Sequence, residues 1–320
     1  MGTATMHAVR LHAFGEPEEL LYEEVARPEP GPGEVLVRVH AAGVNPPDWY
    51  ARRGFENFPV ELRPNWTPPL ILGSDISGVV TALGPGVTEW RPGDEVFGLV
   101  NFPGRASGYA EYAVSPAAHL APKPATLGHT EAAAVPMAGL TAYQFVFTHL
   151  RGRIGSTVIV NGAAGGVGHF AAQLVRVAGA QQVIGVASGR HEDFLLGLGV
   201  DRFVDYTRTP AESVARDVDL LLDTVGGHRL LPNVRRGGRI APVILGDYHP
   251  ERAAELGIAV ETMRQVRSSG SDLAGLAALI DTGRVRVAVD SVFPLRDAAA
   301  AHARAERGHL QGKIVLDVMG

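Results

Sequence analysis

The segment Val158-Ile159-Val160-Asn161-Gly162-Ala163-Ala164-Gly165-Gly166-Val167-Gly168 constrains this chain more than any other. An apolar, β-prone run enters a turn of small residues, and a run suited to an apolar helix begins at once. Such a turn lets backbone N–H groups approach a pyrophosphate without side-chain obstruction, and the helix N-terminus adds positive potential. The G-x-G-x-x-G pattern is modified, because Ala163 stands where its first glycine would fall. Glycines alone also serve ordinary tight turns. The strand–turn–helix context favours a nucleotide cradle, with contacts at Ala164, Gly165, Gly166 and Val167.

The surroundings of the turn agree with that reading. Strands are predicted over Thr157–Asn161, Gln182–Ala187, Arg202–Asp205, Val218–Asp223 and Arg239–Ile244, and helices over Val167–Ala178 and His191–Leu198. Their alternation predicts an α/β fold with a doubly wound parallel sheet covered on both faces. The first third differs. Short β-prone runs at Val9–Ala13, Val35–His40, Gly78–Leu83, Glu95–Leu99 and Ala110–Val114 are separated by Gly/Pro clusters, which suggests a barrel or sandwich. Thr130–Leu150 reads as helical with an interruption at Pro136, and the tail is mixed, with helices read over Ser271–Ile280 and Arg296–Glu306 and strands over Val285–Phe293 and Lys313–Val318.

The second strand bears on cofactor choice. NAD-binding folds place Asp or Glu about 20 residues beyond the turn. Here the strand ends in Ser188-Gly189-Arg190-His191, with no carboxylate at its tip. Ser188 can hydrogen-bond a 2′-phosphate and Arg190 can pair with its charge, so NADPH is expected. Arg190 also has the plainer reading of a surface arginine at a helix start.

Composition removes several classes. The chain has no cysteine, which excludes disulfides, thiolate nucleophiles and cysteine-containing zinc sites. Its formal net charge of −5 and scattered arginines offer no nucleic-acid stripe. The N-terminus lacks an apolar signal core and no run approaches the ~18 apolar residues of a membrane span. No membrane partner and a cytoplasmic location are expected.

Motifs along nearly the whole chain resemble the medium-chain dehydrogenase/reductase superfamily, most closely its zinc-free NADPH quinone oxidoreductase branch. They include Pro30–Val37, Gly43–Tyr50, Leu72–Val80, Gly93–Gly98, Ser107–Tyr112, Pro136–Ala142, the glycine turn, Val204–Tyr206, Asp223–Gly227 and Gly312–Leu316. The resemblance implies a GroES-like β domain over residues 1–125, completed by 265–320, and a Rossmann NADP(H)-binding domain over 126–264. The active site would be the cleft between them. Asn45, Ser74 and Met137 stand at or near the positions where zinc-dependent relatives carry ligands, and they are poor ligands for zinc. His302 and His309 are seven residues apart and His7 and His12 five apart, without H-E-x-x-H spacing, so no metal site is expected.

By the same resemblance Asn45 would orient nicotinamide or substrate, and Tyr50 would hydrogen-bond the substrate oxygen. Asp48 would orient Tyr50 or, more in keeping with its place, cap the following helix. Thr141 and Lys313 would line the cofactor cleft, although Lys313 also fits a surface lysine on an edge strand. Tyr206 would lie near the adenosine ribose, and Val225 beside the nucleotide groove. The segment Arg52–Pro69, rich in Pro, Phe and Trp, would wall the substrate pocket.

The expected activity is NADPH-dependent hydride transfer to a small quinone or conjugated enone. Alternatives are a pathway-specific enoyl reductase and a non-catalytic nucleotide-binding protein. Tyr50 is the only motif-matched hydroxyl, so protonation of the product is expected to come largely from solvent. Ile258–Met263 is short and β-prone after the last clear Rossmann strand, and the family implies that it pairs with its own copy in a homodimer.

Overall fold

A computed structural model describes residues 4–210, 213, 215–244, 246–261 and 264–320. The N-terminal part is built from β1 (Thr5–Leu11), β2 (Leu20–Ala26), β3 (Glu34–Val44), helix α1 (Pro46–Arg52), β4 (Leu70–Ile71), β5 (Asp75–Leu83), β6 (Glu95–Leu99), β7 (Tyr112–Pro116) and β8 (Leu120–Pro122). Next come α2 (His129–Ala133) and α3 (Pro136–Gln144), which split at the Pro136 interruption. Pro136 takes the first helical position of α3, where its missing N–H costs no helical bond.

The second sheet is made of β9 (Thr157–Asn161), β10 (Gln182–Ala187), β11 (Arg202–Asp205), β12 (Val218–Asp223), β13 (Val234–Pro242) and β14 (Ala259–Val260). Helices α4 (Gly166–Val177), α5 (Glu192–Gly197) and α6 (Pro250–Glu255) lie between them in sequence. The order is β11-β10-β9-β12-β13-β14 and every pairing is parallel. This is the doubly wound order, reversing between β9 and β12. Val158, Ile159 and Val160 are all buried, as a central strand covered on both faces requires.

The tail comprises α7 (Gly270–Asp281), β15 (Val289–Pro294), α8 (Ala298–Glu306) and β16 (Lys313–Asp317). Helix α7 packs on α3, where Gly139 makes room: a Cβ there would lie 2.6 Å from Leu276 Cδ2. Strand β16 then joins the seven-stranded sheet of the N-terminal part, ordered β15-β16-β3-β5-β6-β8 with β7 also on β3, while β2-β1-β4 form a separate sheet. β16 lies between β15 and β3, so Lys313 is on an interior strand and the edge-lysine reading is wrong.

Two boundaries differ from the sequence reading for identifiable reasons. Residues 285–288, expected to be strand, instead bond to α4: Gln173 Nε2 donates to Arg286 O at 3.0 Å and Arg286 N–H donates to Gln173 Oε1 at 2.7 Å. β14 is a two-residue strand at the sheet edge, while Thr262 and Met263 lie outside the described residues.

Candidate active site

The order reversal between β9 and β12 opens a crevice at their carboxyl ends. Asn161 Nδ2 donates to Asp223 Oδ1 at 2.8 Å, and the same oxygen accepts from the N–H groups of Val225 and Gly226 at 3.0 and 3.2 Å. Thr224 Oγ1 donates to Asn161 O at 2.7 Å. Gly162 holds φ +72°, and a Cβ on it would sit 2.4 Å from Thr224 Oγ1. A Cβ on Gly168 would sit 2.1 Å from the carbonyl oxygen of Gly162. The turn and the first turn of α4 are therefore in backbone contact.

Gly166, Val167 and Gly168 form the first turn of α4, so their N–H groups have no helical acceptors. Gly165, Gly166 and Val167 line a cavity of about 920 Å³. Free donors, a helix N-terminus and a wall in which two of the three residues are glycine fit the pyrophosphate of a dinucleotide. Ala164 is buried behind that wall, and its carbonyl accepts from Gly312 N–H at 2.9 Å. His169, missed in the sequence, donates from Nδ1 to Gly165 O at 3.0 Å and accepts at Nε2 from Ala288 N–H at 3.4 Å. Burial drives its pKa down to about 4, so the ring is neutral.

The far end of the crevice is polar. Ser188 is half-buried at the tip of β10, and Arg190 is exposed beside it. Arg190 Nη2 donates to His309 O and its Nε to His191 Nε2 at 3.1 Å, which fixes the guanidinium next to the strand tip. The nearby Asp205 carboxylate accepts from Thr207 N–H and Oγ1 at 2.9 and 2.7 Å. Tyr206 and Val225 are exposed, and neither lies on the wall of the large cavity; Thr224 does.

Beside the aromatic residues of the cavity lies a buried polar cluster on α1, β5 and β16. Asn45 Nδ2 donates to Asp75 Oδ2 at 2.9 Å, while Asn45 Oδ1 accepts from Lys313 Nζ. Lys313 Nζ also donates to Val44 O. One amide thus bridges an ammonium and a carboxylate, and among the described residues a single Asn45 side-chain N–H has no partner. Asp75 Oδ1 accepts from Met137 N–H at 2.8 Å, at the start of α3. Burial raises the Asp75 pKa to about 6, opposed mainly by Lys313. Burial also lowers the Lys313 pKa, and the Asp75 and Asp48 charges raise it.

Asp48 caps α1 by accepting Asn45 N–H at Oδ2, 2.8 Å away. The same oxygen accepts from Tyr109 Oη at 3.0 Å. Behind Tyr109 lies His302, whose Nε2 is 3.1 Å from Oη and whose Nδ1 is 3.4 Å from Arg52 Nη1. Arginine only donates, so Nδ1 accepts and Nε2–H donates to Tyr109. Burial holds His302 neutral, with a pKa near 3. Arg52 is fully buried and pairs with Glu306 at 2.9 Å, so it braces this network and does not wall the pocket. Asp75, Tyr109 and His302 were not singled out by motif reasoning. The signal was an acid opening an otherwise apolar strand at Asp75-Ile76-Ser77-Gly78-Val79-Val80.

Tyr50 lines the cavity, edge-on to Phe58 at 5.5 Å, and Phe55 stands edge-on to Trp66 at 5.4 Å. Burial raises the Tyr50 pKa, so the phenol stays a donor. Thr141 is on the cavity wall, its hydroxyl donating to Met137 O at 2.7 Å.

The zinc positions of the superfamily do not fit a zinc ion here. Asn45 Oδ1 is held by an ammonium, whose charge would repel a metal, and Ser74 and Met137 complete a set without thiolate or imidazole. Among the described residues no group of three or more His, Asp or Glu side chains is placed to hold a metal ion. Among them, too, no helix is long and apolar enough to cross a membrane.

A β-rich domain and a six-stranded doubly wound sheet meeting at such a cleft define a two-domain, dinucleotide-binding oxidoreductase architecture. Residues 31–125 match the alcohol dehydrogenase GroES-like domain, and residues 198–316 match a family described as zinc-binding dehydrogenase. The chain is 32% identical to the quinone oxidoreductase of Rattus norvegicus, covering 94% of each chain. It is 30% identical to a mitochondrial NAD(P)H oxidoreductase of Danio rerio, over 90% of this chain and 84% of that protein. The solved quinone oxidoreductase of Coxiella burnetii superposes with a TM-score of 0.87 at 31% identity, over 98% of this chain and all of that one. The chain belongs to the medium-chain dehydrogenase/reductase superfamily, in its quinone oxidoreductase-like branch.

Proposed function

We propose that this protein is an NADPH-dependent reductase that delivers hydride to a quinone or conjugated enone without a metal. The observation that carries the reading is one cavity, of about 920 Å³, that has the open α4 N-terminus on one wall and the Tyr50, Phe55, Phe58 and Trp66 aromatics on another. A flat acceptor stacks on such a wall, and backbone donors opposite it take phosphate. The names of the relatives support the same chemistry.

Gly165, Gly166 and Val167 would hold the pyrophosphate, Thr141 and Lys313 the adjoining part of the cofactor, and Tyr206 and Val225 its groove. Ser188 and Arg190 would hold a 2′-phosphate. Once bound, the dihydronicotinamide supplies the hydride. The chain's own work is orientation and charge. Tyr50 points a phenolic donor at the acceptor oxygen, and Asn45 turns its remaining N–H toward the cleft. The buried Lys313 charge, fixed by Val44 and Asn45, favours negative charge developing nearby.

Purified protein should consume NADPH with 9,10-phenanthrenequinone or a simple conjugated enone. Arg190→Ala should weaken NADPH binding about tenfold to 150-fold, the scale of one charge-assisted hydrogen bond, and leave NADH binding nearly unchanged. Titration of both cofactors checks this. Equal losses for the two would remove Arg190 from the 2′-phosphate site.

The exposed edge at β14 supports a homodimer formed by edge pairing around 258–261. Light scattering at micromolar concentration should return twice the 33.8 kDa chain mass. A monomeric mass would reject the pairing.

A further inference from the structure

We propose that Asp48 is the proton donor of the reaction, a role that rests on the reductase reading above. Three observations converge on it. Asp48 lines the cavity that holds the aromatic wall. Both hydrogen bonds that its carboxyl group accepts among the described residues, from Asn45 N–H and Tyr109 Oη, end on the same oxygen, Oδ2. The other oxygen, Oδ1, has no protein partner among the described residues and is not sealed from the cavity. Two donors on Oδ2 make it the carbonyl-like oxygen of a neutral carboxyl. A proton on this group therefore resides on Oδ1, the oxygen open to a bound acceptor.

The charged groups around Asp48 set when that proton is present. Asp75 on β5 faces it with like charge, Lys313 on β16 with opposite charge, and Tyr109, backed by neutral His302 on α8, donates to it. Arg52 of the same helix is turned to Glu306. Burial is the largest influence and holds the Asp48 pKa near 7, where a general acid works best at neutral pH.

The step balances as follows. Hydride from the reduced nicotinamide adds to the acceptor, which becomes an enolate or quinolate. The Oδ1–H bond of Asp48 breaks and an O–H or Cα–H bond forms on the product. Asp48 is left as a carboxylate, still hydrogen-bonded at Oδ2, and water in the cavity reprotonates it. Each turnover consumes one hydride and one proton. Tyr50 then orients the acceptor and gives up no proton, and the solvent's part moves from protonating product to recharging Asp48.

Steady-state reduction of 3-buten-2-one by NADPH between about pH 6 and 9 tests the assignment. The wild-type rate should fall as pH rises through the ionisation of Asp48, because the protonated form acts. Asp48→Asn keeps an oxygen for the α1 cap and lacks the acidic proton. Its kcat should fall by about 100-fold or more, with no alkaline fall and with NADPH affinity within about twofold of wild type. Tyr109→Phe removes a donor that favours the carboxylate, so it should move the alkaline fall to higher pH, and it serves if Asp48→Asn fails to fold. Wild-type turnover with an unaltered Asp48→Asn rate would overturn this proposal alone. So would a Tyr109→Phe profile that does not move, or loss of turnover confined to Tyr50→Phe. A wild-type chain inactive with enone and quinone alike would overturn the reductase reading, and this one with it.

Discussion

Gly168→Ala is expected to raise the NADPH dissociation constant by about 100-fold or more, about 2.7 kcal/mol. The added Cβ would lie 2.1 Å from Gly162 O and 2.8 Å from Ala163 Cα, and neither is the end of a flexible side chain. Only the turn or the first turn of α4 can move. Either motion turns the Gly166 and Val167 N–H groups away from the position in which they would converge on the proposed phosphate. The neighbouring glycines cannot absorb the shift, since Gly162 already holds φ +72° against Thr224. Gly197→Ala is the control: it is an exposed helical position with open space around its Cβ, and it should leave affinity unchanged while stabilising by up to about 1 kcal/mol. Cofactor titration by fluorescence decides the matter. Wild-type affinity in Gly168→Ala would mean that the close backbone packing is irrelevant to binding.

The contrast between what the sequence revealed and what it hid follows from periodicity. β9, β10 and β12 have the boundaries expected of them, because a strand buried on both faces is a short apolar run between turn residues, and edge strand β11 also keeps its expected bounds. The glycine turn was legible for a related reason, since its chemistry is local. β2 was missed because Leu20–Ala26 carries two glutamates and exposes Leu21 and Tyr22, so its pattern is that of a solvated edge. The reacting cluster was only half legible. Asn45 and Tyr50 stand in a quoted motif, but the partners of Asn45 come from β5 and β16, which lie 30 and 268 residues away. Tyr109 meets His302 across 193 residues. Contacts of that separation leave no spacing signature. They leave single polar residues in apolar company, such as Asp75. His302 was weighed only as a possible metal ligand by its spacing from His309. The structure gives its two nitrogens to Tyr109 and Arg52 instead.

Lys313→Met should destabilise the protein by about 3–5 kcal/mol near pH 8, the cost of removing one partner from a set of buried charges. The methionine fills most of the lysine stem's volume, so the loss is chiefly electrostatic. Asp75 and Asp48 would remain buried, and Asn45 would lose the donor on its Oδ1. The sign of the pH dependence follows from the carboxyls. Burial already holds Asp75 near 6 and Asp48 near 7, above the ordinary value of 3.8. Between the unfolded and folded values the native state binds more protons, so each of these groups lowers stability as pH rises. Lys313 is the charge that limits the rise at Asp75, so its removal raises both folded values and steepens the decline. The deficit relative to wild type should therefore be small near pH 5, where both carboxyls are protonated, and should widen toward pH 8. Urea denaturation of the two proteins at both pH values measures it. A deficit of equal size at the two would mean that Lys313 serves packing alone, and that no charge compensation joins β16 to the carboxylates of α1 and β5.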